Sequence, residues 1–193
     1  MALLHRTSLV PSKLDLVNGW IVHQPWFEAD AHSPLVQVAS FRFDDPEGQV
    51  GIETLLLSSS DGSIFQVPLT YRNDPLEGAD RWLIGTMEHG VLGTRWTYDA
   101  LGDPIYVQEL ATTILSGGSG VEQWIEIDGV MTLREPTALV QGSGGDPDPD
   151  VNAYELDIVR LPGTATAGPG DFVLTGTWTD SPQPTVLAIA TPR

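Results

Sequence analysis

Apolar and polar positions along this chain switch between a two-residue and a three-to-four-residue rhythm, and the switches mark its elements. "PLVQVASFRFDD" alternates as a half-buried strand does, and Asp45-Pro46-Glu47-Gly48 supplies its turn. "VGIETLLLSS" and "SIFQVPLTYR" flank Asp61-Gly62 and predict a hairpin, since Asp-Gly tolerates the positive φ of a tight turn. "RWLIGTMEHG" and "TRWTYDA" predict two short strands around Gly90–Gly93. The rhythm then changes. Asp103 at the N-cap and Pro104 at the first helical position open a helix on which Tyr106, Val107, Leu110, Ala111, Ile114 and Leu115 form one apolar face, stopped at Gly117. A shorter helix is predicted over Ser12–Gly19, with Ser12 as cap and Gly19 as its end. Beyond Gly117 the pattern returns to strands: "VEQWIEID", a turn at Gly129, "VMTLREPTALVQ", "AYELDIVRLP", "DFVLTGTWT" and "TVLAIATP". Two polar loops separate them, 142–150 ("GSGGDPDPD", expected to be flexible) and 163–170. The expectation is a single α+β domain over 1–193: an antiparallel sheet on one main helix, with a short N-terminal helix.

Composition narrows the partners. The chain has 193 residues and a net charge of −17, a field that repels phosphate backbones, so nucleic acid and anionic membrane are poor partners. It has no cysteine, which excludes disulfides, thiol nucleophiles and thiolate metal sites. The first 20 residues lack the continuous apolar core of a signal peptide, and no apolar run approaches the ~20 residues of a membrane span, so the reading is cytoplasmic.

The densest candidate chemistry lies in 84–115. Glu88 and His89 are an acid–base pair on paper, with Asp99 a third candidate catalytic group, although neighbours on a strand point to opposite faces. A hydrogen-bonding or structural role is the weightier reading for His89. No Gly-x-Ser-x-Gly elbow accompanies the serines. The four histidines show no ligand spacing and "DPDPD" lacks the EF-hand pattern, so no metal is expected. No glycine-rich phosphate loop is present, and "GDFVLTG" has Val173 where a metal-binding Asp-Phe-Gly would have glycine, so no nucleotide cofactor is expected either. Six tryptophans serve core packing first, but rings beside carboxylates also hold sugars. Tyr71, Trp82, Arg95 and Trp96 are the residues that could line such a cleft.

The stretches "DDPEGQVGIETLLL", "QVPLTYR", "PLEGA", "LIGTMEHGVLG" and "RWTYDALGDPIYV" together resemble the N-terminal cap domain of actinobacterial maltokinases, and the related small proteins built from that cap alone. The resemblance covers roughly residues 10–140 and departs from the full kinases, whose corresponding early segment carries a basic "QRWF…K" pattern. It implies a cystatin-like fold, a curved antiparallel sheet wrapped on a helix, with 104–116 as that helix. It also implies a place in maltose, trehalose and α-glucan metabolism, without phosphotransfer, because the lobes holding ATP and sugar have no counterpart here. The resulting expectation is a non-catalytic binding or regulatory module acting on a sugar kinase or α-glucan/trehalose enzyme, or binding a saccharide. Its alternatives are a small enzyme using Glu88, His89 and Asp99 on carbohydrate or sugar phosphate, and a structural homo-oligomeric subunit joined through a sheet edge.

Overall fold

The computed structural model describes residues 2–4, 8–30, 33–127 and 129–193, with backbone only for 2–4. Thirteen strands and two α-helices are formed among them. In chain order these are β1 (Ala2–Leu4), β2 (Leu9–Val10), α1 (Lys13–Ile21), β3 (Val36–Phe43), β4 (Gly51–Ser58), β5 (Ile64–Arg72), β6 (Leu83–His89) and β7 (Gly93–Asp99). There follow α2 (Pro104–Ser116), β8 (Gln123–Ile127), β9 (Val130–Arg134), β10 (Ala138–Gly142), β11 (Tyr154–Ile158), β12 (Phe172–Trp178) and β13 (Ser181–Pro192). The expected hairpins and the second helix stand where the pattern placed them. The architecture is mostly β, however, and α+β only loosely. A curled six-stranded antiparallel half-barrel, β2-β6-β7-β5-β4-β3, is joined by a four-stranded sheet, β10-β12-β13-β11, and a three-stranded one, β1-β8-β9.

The half-barrel is covered on both faces at its centre. On β4, Ile52 and Leu56 join α2 and the four-stranded sheet in one core, while Leu55 and Leu57 join α1 in another. Alternation assigns the faces, and burial on both makes the strand read as a nearly continuous apolar run. The first core holds Phe41, Tyr106, Leu110, Ile114, Leu174 and Leu187; the second holds Val17, Ile21, Leu35, Phe65, Val67 and Leu69. Pro68 sits inside β5 without breaking the sheet because β7 pairs with β5 only from Leu69 onward. Upstream, the open flank of β5 is taken by the segment after β11. Gln66 N donates to Arg160 O (2.8 Å), and its side-chain amide donates to Leu187 O (2.7 Å) and Val159 O (3.1 Å).

Both helices start as their sequences dictate. Ser12 and Asp15 form a reciprocal capping box, and Asp103 caps Ile105 N (3.1 Å) with Pro104 in the first turn. Helix α1 runs past Gly19 to Ile21, because Ile21 is wholly buried against the half-barrel and that burial outweighs the ~1 kcal/mol cost of an interior glycine. Helix α2 stops at Gly117, which takes the left-handed conformation expected of a C-cap (φ 72°). Residues 142–146 cross that helix end, with Gly144 N donating to Ile114 O (2.9 Å) and Asp146 N to Leu115 O (3.1 Å). A side chain on Gly142 would collide with the carbonyls of Thr113 and Ile114. Among the described residues no helix is long and apolar enough to cross a membrane.

Ile114 has no exposed surface and belongs to the core that α2 shares with the half-barrel and the four-stranded sheet. Ile114→Ala is expected to lower unfolding free energy by about 2–5 kcal/mol in chemical denaturation, whereas Val107→Ala on the exposed side of the helix should change it by no more than about 0.5 kcal/mol.

Candidate functional site

Each face of the half-barrel carries buried charge, and the strands explain where it goes. On the α1 face, β3 and β4 place Arg42 directly opposite Glu53. Glu53 Oε2 accepts from Arg42 Nη2 (3.0 Å), from Tyr71 Oη on β5 (2.9 Å) and from Lys13 Nζ at the start of α1. Lys13 Nζ also stands 5.2 Å from the centre of the Tyr71 ring. Burial alone would raise the Glu53 pKa, but the Arg42 and Lys13 charges and the hydrogen bonds from Lys13 and Tyr71 bring it down to about 2. Burial lowers Lys13 despite Glu53, with Arg42 and Arg134 pushing the same way. It lifts the Tyr71 phenol well above its usual value, and the Glu53 charge adds to that.

Two further ion pairs close the other ends. Arg72 grips the fully buried Asp103 with two bonds of 2.7 Å, which ties β5 to the start of α2. Asp99, at the end of β7, pairs with Arg160, whose guanidinium lies 4.6 Å from the Trp26 ring. Burial raises the Asp99 pKa by more than Arg160 lowers it.

The residues singled out from sequence are spread over this frame. Glu88 and His89 occupy opposite faces of β6. Glu88 accepts from Thr94 Oγ1 (2.7 Å) across the hairpin, whereas His89 Nδ1 accepts from Leu92 N (3.1 Å) in its turn. His89 and Asp99 share a face, but His89 pairs with Gly93, six residues before Asp99 along β7 and so about 20 Å away. Tyr71 belongs to the Glu53 cluster on the α1 face. Arg95 lies on that face too and donates from Nη1 to Thr94 O (3.0 Å). Trp96 faces the other way, directly opposite Arg72. The Trp82 ring packs on Gly102, with Arg81 stacked 4.9 Å above it. His5 and His32 lie outside the described residues, and among the described ones no group of three His, Asp or Glu could hold a metal ion.

Sequence reasoning passed over Lys13, Arg42, Glu53 and Arg160. The signal for Glu53 was present: a carboxylate inside "GIETLLLS", on a strand buried on both faces, must find donors. Its partners could not be found that way, because they come from 11 to 40 residues away, and Arg160 stands 61 residues from Asp99.

Residues 20–103 match the family model of the maltokinase N-terminal cap domain. This cap segment, less than half of the chain, is similar to a maltokinase N-terminal cap domain. No curated protein matches the chain. The cap runs from Trp20, near the end of α1, through β3–β7 to Asp103, the N-cap of α2. It contains Glu53, Arg42, Tyr71 and Asp99, as well as Trp82, Glu88, His89, Arg95 and Trp96. Two of its buried acids are completed from outside it, Glu53 by Lys13 and Asp99 by Arg160.

Because the Glu53 pKa falls on folding, the stability it contributes is present above its unfolded value near 4.5 and is lost as pH drops toward about 2. The raised pKa of Asp99 works with the opposite sign at acid pH, so the comparison must be made against a Glu53 variant. Glu53→Gln is expected to cost roughly 3 kcal/mol at pH 7, by stranding Lys13 and Arg42. It should also flatten the pH 2–5 slope of urea-measured stability relative to the parent.

Proposed function

We propose that this chain is a non-catalytic cap module of maltose, trehalose and α-glucan metabolism that acts by binding a sugar kinase or α-glucan enzyme. The cap match over residues 20–103 carries this reading. The separation of Glu88, His89 and Asp99 supports the non-catalytic part, since general acid–base work needs its groups within hydrogen-bond reach of one substrate. We read the curled sheet with its packed helix as a variant of the cystatin-like topology, enlarged by the four-stranded sheet on the far side of α2. The module belongs to the cytoplasm on this account.

Saccharide binding is the second reading, and one observation favours it. Arg72, Glu88, Thr94 and Trp96 share a face of β5–β7, where an aromatic ring stands among polar groups as sugar recognition requires.

Affinity capture from the source cells, followed by mass-spectrometric identification, is expected to recover a sugar kinase or an enzyme of α-glucan or trehalose turnover. Recovery of neither across growth conditions contradicts the partner reading. Calorimetry with maltose and trehalose tests the second: binding weakened at least tenfold by Trp96→Ala would favour it, and no heat with either sugar would remove it.

A further inference from the structure

At the border of the cap, between β3, β10 and the β8–β9 hairpin, lies a groove of about 320 Å³. Its walls are apolar, formed by Phe41, Leu133, Pro136, Leu139 and Val140. Ser119, Glu122, Gln123 and Arg134 are its polar lining, and Gln123 and Arg134 are directly opposite one another in the hairpin register and therefore on one face of it. Gln123 is only 7% exposed, yet its Oε1 accepts no hydrogen bond. A buried amide oxygen left without a donor is costly and uncommon in folded proteins. Arg134 has no ion-pair or hydrogen-bond partner among the described residues, in contrast to Lys13, Arg42, Arg72 and Arg160, which are all paired.

The surroundings select the sign of the occupant. Three of the nine basic residues of a chain with net charge −17, Lys13, Arg42 and Arg134, gather at this corner. Lys13 and Arg42 are engaged by Glu53, which leaves Arg134 as the unpaired cation beside the groove; Glu122, also at the groove, has its Oε2 accepting from Trp124 Nε1 (3.2 Å). A single carboxylate set against an apolar body fits such a place, while a polyanion would be turned away by the rest of the surface.

The open edge supplies the remaining constraint. Among the described residues β9 is the last strand of its sheet, with Val130 64% and Leu133 47% exposed, and such an edge can take an added strand. We propose that this groove binds the free C-terminal end of a partner polypeptide whose last residue is apolar. The terminal carboxylate pairs with Arg134, the last peptide N–H donates to Gln123 Oε1, and the last side chain lies between Phe41, Pro136 and Val140. The preceding residues extend along β9. With the exception of Phe41, the lining residues fall outside the cap match, so failure of this site would leave the cap reading untouched.

The test uses the whole chain with two acetylated tetrapeptides, Ac-Ala-Ala-Ala-Leu with a free carboxylate and the same peptide as its C-terminal amide. Calorimetry follows the affinity, and NMR follows the Gln123 side-chain amide and the Arg134 Nε signal. The free acid is expected to bind and to shift both signals, the amide to bind at least tenfold more weakly, and added salt to weaken the acid alone. Arg134→Met should cost about tenfold with unchanged circular dichroism. Gln123→Leu removes the unpaired amide, so it should fold at least as stably as the parent while binding about fivefold more weakly. No binding of the free acid at millimolar concentration overturns the proposal, as does equal binding of the amide. N-acetyl-leucine binding as tightly as the tetrapeptide would assign the groove to a free small acid instead. Concentration-dependent dimerisation in light scattering, with Arg134 signals moving as it occurs, would assign it to a second copy.

Discussion

Burial of β4 and the first half of β5 on both faces is the constraint on which the rest of this structure depends. A strand covered on both sides has no solvent to receive a charge, so Glu53 on β4 can stay ionised only if the fold brings donors to it. That requirement fixes three relationships at once: the register of β3 against β4, the position of Tyr71 on β5, and the seat of the first turn of α1 over the sheet. The same double coverage explains why the four-stranded sheet is needed. Ile52 and Leu56 would face water if α2 and the strands behind it were absent.

The cap is therefore not self-contained in this chain. Its acids at Glu53 and Asp99 find their cations in Lys13 and Arg160, on either side of residues 20–103. Asp103, where the cap ends, is also where α2 begins, gripped by Arg72 from within the cap. Segments flanking the family match act as charge partners and as the second layer of the core, not as appended tails. A binding surface on this molecule can consequently lie on the cap, on the added strands, or across the seam where Phe41 of β3 meets Val140 of β10.

The local devices were legible in sequence because each is written within a few residues. Asp61-Gly62, Asp103-Pro104 and Gly117 each state a turn or a helix end by conformational preference alone. Sheet order was not legible, since it depends on long-range pairing: nothing in "ALVQG" or "FVLTGTW" says that β10, β12, β13 and β11 will form a separate sheet behind α2. The site residues divide in the same way. The tension between Glu88 and His89 was visible in strand alternation. The Glu53 cluster, by contrast, needs Lys13, Arg42 and Tyr71 to arrive from three other elements. Glycines beside helix ends, such as Gly142, read as loop residues in sequence and act as packing residues in space.

Native-state hydrogen exchange with residue resolution tests the central claim most directly. If β4 and β5 form the doubly covered keystone, the amides of Leu55–Leu57, Val67 and Leu69 will exchange only through global unfolding, with protection equal to the denaturant-measured stability. The exposed β8–β9 hairpin will exchange through local opening at far lower free energy. Protection in β8–β9 matching that of β4, or β4 exchanging by sub-global opening while α1 stays closed, would contradict the account.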